Sequence, residues 1–198
     1  MTQDLSRYDP VWRAAEPYMR ARKNDVHIPL SFDWAVRLLE HFPNADRDVC
    51  LLAILLHDIG WWAIDMEEII EQGFRSENIL QSDVRYRHEA EGVRLATQVL
   101  RQTGWPETVI AQVCEIIDGH DTRPEPRHLN DRIVRDADKL WRYEVTGTAV
   151  GCDWFGETPA QNCDRNERIL PKFETEPGRA MATAALADTR RALKVHVL

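Results

Sequence analysis

The sequence lacks the features that would place the chain in a membrane or on a nucleic-acid polymer. No run of apolar residues approaches the ~20 needed to cross a bilayer, and the N-terminal segment MTQDLSRYDP has no basic stretch followed by an apolar one. No lysine and arginine run is long enough to follow a phosphate backbone, and the formal net charge is -8. We therefore expect a cytoplasmic protein that acts on a small molecule, with no membrane or nucleic-acid partner. The sequence does not decide whether the protein forms a homodimer.

Cysteine is scarce, and its spacing excludes the common structural metal motifs. The four cysteines show no CxxC spacing, and no export signal suggests an oxidising compartment. Free thiols are therefore expected at Cys50, Cys114, Cys152 and Cys163.

Alternation of apolar and polar residues with period two is also hard to find, whereas apolar residues recur at helical spacing nearly everywhere. This favours an all-α fold. A chain of 198 residues with 43% hydrophobic residues can bury a full core. We predict a single-domain helical bundle over residues 1–198, with the chemical motifs within 25–144 and a helical extension over 145–198.

The helix boundaries follow from the apolar periodicity and from proline and glycine. The segment from Gly147 to Pro159 is interrupted by these residues, and we assign it no helix. The predicted helices are Asp9 to about Arg22, Leu30 to His41, Asp46 to Asp58, Asp65 to Gln72, Asp83 to Thr103, Glu107 to Asp118, Asn130 to about Val145, and Glu176 to about Leu193.

The most apolar helix, in the segment ADRDVCLLAILLHD, ends on His57 and Asp58. An imidazole and a carboxylate are costly there unless a hydrogen-bonded pair or a bound cation satisfies them. Four more residues of these types lie at helix ends or in adjoining turns, namely His27, His88, His120 and Asp138. Imidazole and carboxylate ligands suit Zn, Mn, Fe, Co or Ni, and the absence of thiolates favours a catalytic site over a structural one.

One choice stays open at this level. Asp136 and Asp138 are two residues apart on a predicted helix, and both are about equally offset from its apolar face. Helical periodicity therefore does not say which carboxylate joins the cluster.

The pattern H…HD…D, with LLAILLHDIGW and DADKL, resembles the HD superfamily of metal-dependent phosphohydrolases over roughly Asp25 to Glu144. The A-D-x-L pattern of that family favours Asp138 as the ligand. By the same resemblance, Asp136 lies behind the ligands or on the surface.

The segments RHEAEGVRLA and EIIDGHD resemble the branch of the family that has two additional histidines and binds two metal ions. By this resemblance His27, His57, Asp58 and Asp138 hold a first ion. Asp58 bridges to a second ion, which His88 and His120 complete. Whether one or two divalent transition-metal ions bind is left open.

The resemblance implies hydrolysis of a phosphate ester or anhydride in a small molecule, with a nucleotide as the first candidate, through a metal-activated water. Myo-inositol oxygenase and the phosphonate-cleaving di-iron oxygenases resemble the same pattern, so oxidation of a small diol or hydroxyphosphonate is the alternative. A third hypothesis is a regulatory domain that senses a ligand.

Several neighbours of the proposed ligands are further candidates. Glu89 and Asp121 directly follow His88 and His120 and either orient an imidazole or carry a proton. With Asp58, we take Glu89 and Lys139 as candidate catalytic residues. Trp61 and Trp62 either form a pocket wall or pack in the core. The basic side chains that either meet a phosphate or lie on solvated helix faces are Arg85, Arg87, Arg123, Lys139 and Arg142.

Overall fold

The computed structural model describes residues 4–68 and 83–194. Within these ranges the chain is helical and has no strand, which confirms the all-α prediction. No helix in the described part is long and apolar enough to cross a membrane. The α-helices are α1 (Asp9–Ala15), α2 (Asn24–Leu38), α3 (Arg47–Leu56), α4 (Met66–Glu68), α5 (Val84–Gln102), α6 (Glu107–Ile117), α7 (Leu129–Leu140), α8 (Val145–Phe155), α9 (Pro159–Ile169) and α10 (Glu176–Ala192).

Helix α3 is the central helix of the bundle. Asp46 caps its N-terminus by accepting a hydrogen bond of 3.1 Å from the Val49 backbone amide. Every side chain from Val49 to Leu56 is buried, and α2, α6 and α7 pack around it. Full burial of each large aliphatic side chain contributes about 1.5–3 kcal/mol. The helix therefore ends, at His57, in the middle of the protein.

The start of α2 differs from the sequence prediction. The helix begins at Asn24, six residues before the predicted Leu30, and it contains Pro29. Its buried residues include His27 and Ile28, and α2 packs on both α3 and α7. Tertiary packing therefore keeps this segment helical across a proline, and His27 lies within the helix rather than before it.

Two helices without a sequence prediction, α8 and α9, overlap and follow the segment from Gly147 to Pro159, and a short turn joins them. The glycines in α8 serve packing: a Cβ at Gly147 would lie 2.0 Å from the Trp141 carbonyl oxygen. Thr158 then starts α9 with a capping box to Gln161. Of the helix predicted over Asp65 to Gln72, only Met66–Glu68 lies within the described residues.

Candidate metal centre

Six histidine and aspartate side chains from five helices and their adjoining turns meet at the C-terminal end of α3. His27 comes from α2, His88 from α5 and Asp138 from α7. The other three lie just beyond α3 and α6, and they are His57, Asp58 and His120. Five of the six residues are buried, and the Asp138 side chain is 14% exposed.

The first group surrounds one oxygen of Asp58. His27 Nδ1 lies 3.4 Å and His57 Nε2 lies 3.8 Å from Asp58 Oδ2. Asp138 Oδ1 lies 2.8 Å from His27 Nε2 and 3.3 Å from His57 Nε2. Donor atoms of His27, His57 and Asp58 all fall within 4.8 Å of one another, which is close enough to share an ion.

The second group surrounds the other oxygen of the same carboxylate. His88 Nε2 lies 3.6 Å and His120 Nε2 lies 3.4 Å from Asp58 Oδ1. The two imidazole Nε2 atoms are 3.5 Å apart. Asp58 therefore presents one oxygen to each group.

Backbone carbonyls orient two of the imidazoles. His57 Nδ1 donates to the Ile54 carbonyl oxygen at 2.8 Å, and His120 Nδ1 donates to the Ile117 carbonyl oxygen at 2.9 Å. Each contact turns Nε2 of its ring toward the cluster, as in metal-ligating histidines. Asn24 Nδ2 donates to the Asp58 backbone oxygen at 2.8 Å and fixes the turn that carries the carboxylate.

The donor atoms fit a divalent transition-metal ion. His57 Nε2 is buried and has no hydrogen-bond partner among the described residues, although it faces two carboxylates. A buried polar atom left in this state costs about 1–3 kcal/mol. Imidazole nitrogen and carboxylate oxygen are the ligands that such ions prefer.

The electrostatics of the cluster keep the carboxylates of Asp58 and Asp138 charged, because the pKa of each is lowered. Burial raises the pKa of Asp58, but the charge of His57 and hydrogen bonds with His120 and His27 outweigh it and hold that pKa well below its usual range. Burial and the charge of His120 lower the pKa of His88 to about 3. At neutral pH His88 is therefore neutral, which is the state that can ligate a metal.

The structure separates the two aspartates that helical periodicity left undecided. Asp138 faces His27 and His57, whereas the buried Asp136 faces the C-terminal part of the chain. Asp136 accepts hydrogen bonds from the Glu174 amide at 2.8 Å, the Thr175 amide at 2.9 Å and the Thr175 hydroxyl at 2.7 Å. It anchors the start of α10, a role that sequence analysis missed.

The carboxylate of Glu89 is buried and holds the turn that follows His120. It accepts hydrogen bonds from the Asp121 amide at 2.9 Å, the Thr122 amide at 3.0 Å and the Thr122 hydroxyl at 2.6 Å. Its distance to His120 Nδ1 is 3.9 Å. Whether Glu89 orients an imidazole or carries a proton stays a prediction.

A cleft of about 750 Å³ opens beside the cluster and reaches His120 and Asp138. Lys139 lies on its wall, and its ammonium donates to the Lys172 carbonyl oxygen at 3.0 Å. Four carboxylates line it, from Asp121, Glu125, Asp138 and Glu174. Seven basic side chains line the same cleft, from Arg85, Arg123, Arg135, Lys139, Arg142, Arg165 and Lys172. Arg87 instead pairs with Glu68 on the surface.

The two tryptophans after the HD turn have different surroundings. Trp61 is 3% exposed and stacks on the His88 ring, with 4.1 Å between centroids. Trp62 is 51% exposed and contacts Tyr18 edge-to-face. Neither is among the described residues that line the cleft. A residue that sequence analysis missed, Arg22, lies over the Trp61 ring at 4.1 Å.

The comparisons with known proteins agree with this geometry. The profile of the family described as "HD domain" matches residues 27–142, which include all six clustered residues. The fold is similar to that of a predicted HD superfamily hydrolase from an uncultured Thermotogales bacterium, with a TM-score of 0.60 and 19% identity. The match covers 93% of this chain and 87% of that one. No curated protein matches the sequence. Because the family profile spans more than half of the chain, the protein belongs to the HD domain family of metal-dependent hydrolases.

Proposed function

We propose that the protein hydrolyses a phosphate ester or anhydride in a small molecule, with nucleotides as the first class of substrate to test. The observation that carries the proposal is the basic cleft beside the His/Asp cluster. Seven arginine and lysine side chains against four carboxylates line this cleft in a chain whose formal net charge is -8. A local excess of positive charge in an acidic protein favours an anionic ligand.

The size of the cleft fits a small molecule. Its volume of about 750 Å³ lies in the ordinary range for small-ligand sites. Its lining includes His120 and Asp138 of the cluster and residues after α9, including Lys172 and Phe173. A phosphoryl group at the cluster would leave the remainder of the substrate in the basic part of the cleft.

We propose that Asp58 and Asp138, together with the histidines, hold the metal centre that activates the water. A bound metal ion would supply a Lewis acid and lower the pKa of an attacking water. Asp58 would join the two histidine groups, since each of its oxygens faces one of them. Asp138 would complete the group of His27 and His57.

Two basic residues are suited to bind the phosphoryl oxygens. Arg142 Nη1 donates to the Asp138 backbone oxygen at 2.7 Å and lies 3.6 Å from Asp138 Oδ2. These contacts use one nitrogen of a group with five N–H donors, so the guanidinium can also meet a phosphate. Lys139 faces the same cleft. Glu89 would act indirectly, by holding the turn that follows His120.

The test is a substrate screen of metal-loaded protein. Protein purified without oxygen and loaded with Mn²⁺ is incubated with nucleoside phosphates and sugar phosphates, and release of phosphate or pyrophosphate is measured. We expect release from at least one class, and its loss in Asp58→Ala. Oxygen consumption by iron-loaded protein with a diol or a hydroxyphosphonate, without phosphate release in the first screen, would contradict the proposal and support the oxygenase alternative.

A further inference from the structure

The four histidines of the cluster differ in the contacts that fix the orientation of their rings. His57 and His120 each donate from Nδ1 to a backbone carbonyl three residues earlier. The buried Nδ1 of His88 has no hydrogen-bond partner among the described residues. A metal-ligating histidine almost always has such a partner, because it fixes the ring orientation. Among the described residues, the orientation of His88 therefore depends on contacts other than a hydrogen bond at Nδ1.

One such contact is with the indole of Trp61. The Trp61 and His88 rings are stacked, with 4.1 Å between centroids and 11° between planes. The indole Nε1 donates to Asp58 Oδ1 at 3.0 Å. This is the oxygen that faces His88 and His120. Trp61 thus contacts both His88, which belongs only to the second group, and Asp58 Oδ1, the carboxylate oxygen that faces the same group.

The indole is itself held in one orientation. Trp61 is 3% exposed and belongs to a small apolar cluster with Ala21, Ile64 and Val84. The Arg22 guanidinium lies 4.1 Å from the Trp61 ring. Such a cation–aromatic contact further limits movement of the ring.

We propose that Trp61 is a positioning residue for the second metal ion, the one held by Asp58, His88 and His120. The inference rests on the proposed function and on a centre of two ions, one in each of the two groups that Asp58 faces. Trp61 orients the His88 ring by stacking on it, and it orients the Asp58 carboxylate by donating a hydrogen bond to Oδ1. The first group uses Asp58 Oδ2, His27, His57 and Asp138. Loss of the indole should therefore weaken the second ion more than the first.

The experiment compares Trp61→Phe and Trp61→Leu with wild type, and Trp62→Phe serves as the matched control. The phenyl ring keeps the stacking and loses the N–H donor, whereas leucine loses both. Trp62 is the adjacent residue, is 51% exposed and contacts Tyr18. Mn²⁺ stoichiometry and affinity are measured by calorimetry, and the electron paramagnetic resonance spectrum reports whether two Mn²⁺ ions are coupled.

We expect wild type and Trp62→Phe to bind two coupled ions. Trp61→Phe should weaken the second ion by about tenfold, and Trp61→Leu should weaken it further, within the roughly 10–100-fold range for residues that support metal ligands. The first ion should change less in both variants. Circular dichroism and thermal unfolding check that each variant is folded, and if Trp61→Leu does not fold, Trp61→Phe decides.

Three results would overturn the inference, and they are distinguishable. If wild type binds two coupled ions and Trp61→Phe binds both with unchanged affinity, Trp61 does not position the second ion, and the two-ion centre stands. If wild type binds one ion under metal-replete conditions, the two-ion centre itself is wrong. Equal weakening of both ions in Trp61→Phe would also contradict a selective role.

Discussion

At the scale of single residues, Asp136 and Asp138 show how two carboxylates on one helix serve different parts of the molecule. Asp138 lies 2.8 Å from His27 Nε2, so its charge faces the imidazoles of the cluster. Asp136 is fully buried and accepts three hydrogen bonds from Glu174 and Thr175. The same side-chain chemistry therefore supports a metal centre at one position and a helix start at the other.

We predict opposite effects of alanine at Asp58 and Asp136. Asp58→Ala should abolish activity and most metal binding, because Asp58 faces both histidine groups. Asp136→Ala should keep the metal but lower the free energy of unfolding by about 3 kcal/mol, since it leaves buried donors without an acceptor. Elemental analysis and urea denaturation measure the two effects. Equal metal loss in both variants would show that Asp136 contributes to the centre.

At the scale of secondary-structure elements, the 3₁₀ turn Ile59–Ala63 after the HD pair packs closely on α5. A Cβ at Gly60 would lie 2.0 Å from the His88 carbonyl oxygen and 2.4 Å from the Gly92 amide nitrogen. These are backbone atoms, which cannot move aside as a flexible side chain can. Close packing at Gly60 thus sets the distance between the turn that carries Trp61 and the helix that carries His88.

Gly60→Ala is therefore predicted to disturb both stability and the metal centre. Overpacking of this kind costs about 1–3 kcal/mol, and here it also pushes Trp61 away from His88. We expect a lower free energy of unfolding together with reduced binding of the second ion. Gly156→Ala is the control, because φ is +63° there but no atom lies within 4 Å of the added Cβ. It should lose about 1 kcal/mol and keep its metal. Full metal binding by Gly60→Ala would argue against this role of the turn.

At the scale of the whole molecule, charge is distributed unevenly. The formal net charge is -8, yet the cleft beside the cluster has more basic than acidic side chains. Part of its wall comes from residues after 142, beyond the match to the HD domain profile, including Arg165, Lys172 and Phe173. The C-terminal elements therefore shape part of the cleft, where Lys172 accepts a hydrogen bond from Lys139 of the family motif.

We predict that Lys172→Ala raises KM for a phosphorylated substrate by about tenfold and changes kcat little, because a charge-assisted contact away from the reacting atoms would be lost. Steady-state kinetics at low salt measure this, and added salt should reduce the difference between variant and wild type. Arg168→Ala is the control, since Arg168 is exposed and outside the described lining of the cleft. A rise in KM of the same size in the control would remove the case for a specific contact.

Sequence alone was sufficient where the signal is local. Helical spacing of apolar residues predicted the all-α fold and most helices. The central helix was predicted over Asp46 to Asp58, close to its observed bounds of Arg47–Leu56, because its apolar residues are continuous. The sequence also indicated a metal site, because the candidate residues are histidines and aspartates. Their convergence was expected because each lies near a helix end, and the structure brings His27 and Asp138 to the HD pair.

Only the tertiary structure decided features that depend on contacts between distant segments. The start of α2 at Asn24 is stabilised by packing on α3 and α7, which no local propensity records. The different roles of Asp136 and Asp138 depend on Thr175 and His27, which lie far from them in the chain. The contact of Trp61 with His88 and the basic cleft arise in the same way, because a side chain's neighbours are set by how helices pack and not by the residues beside it in sequence.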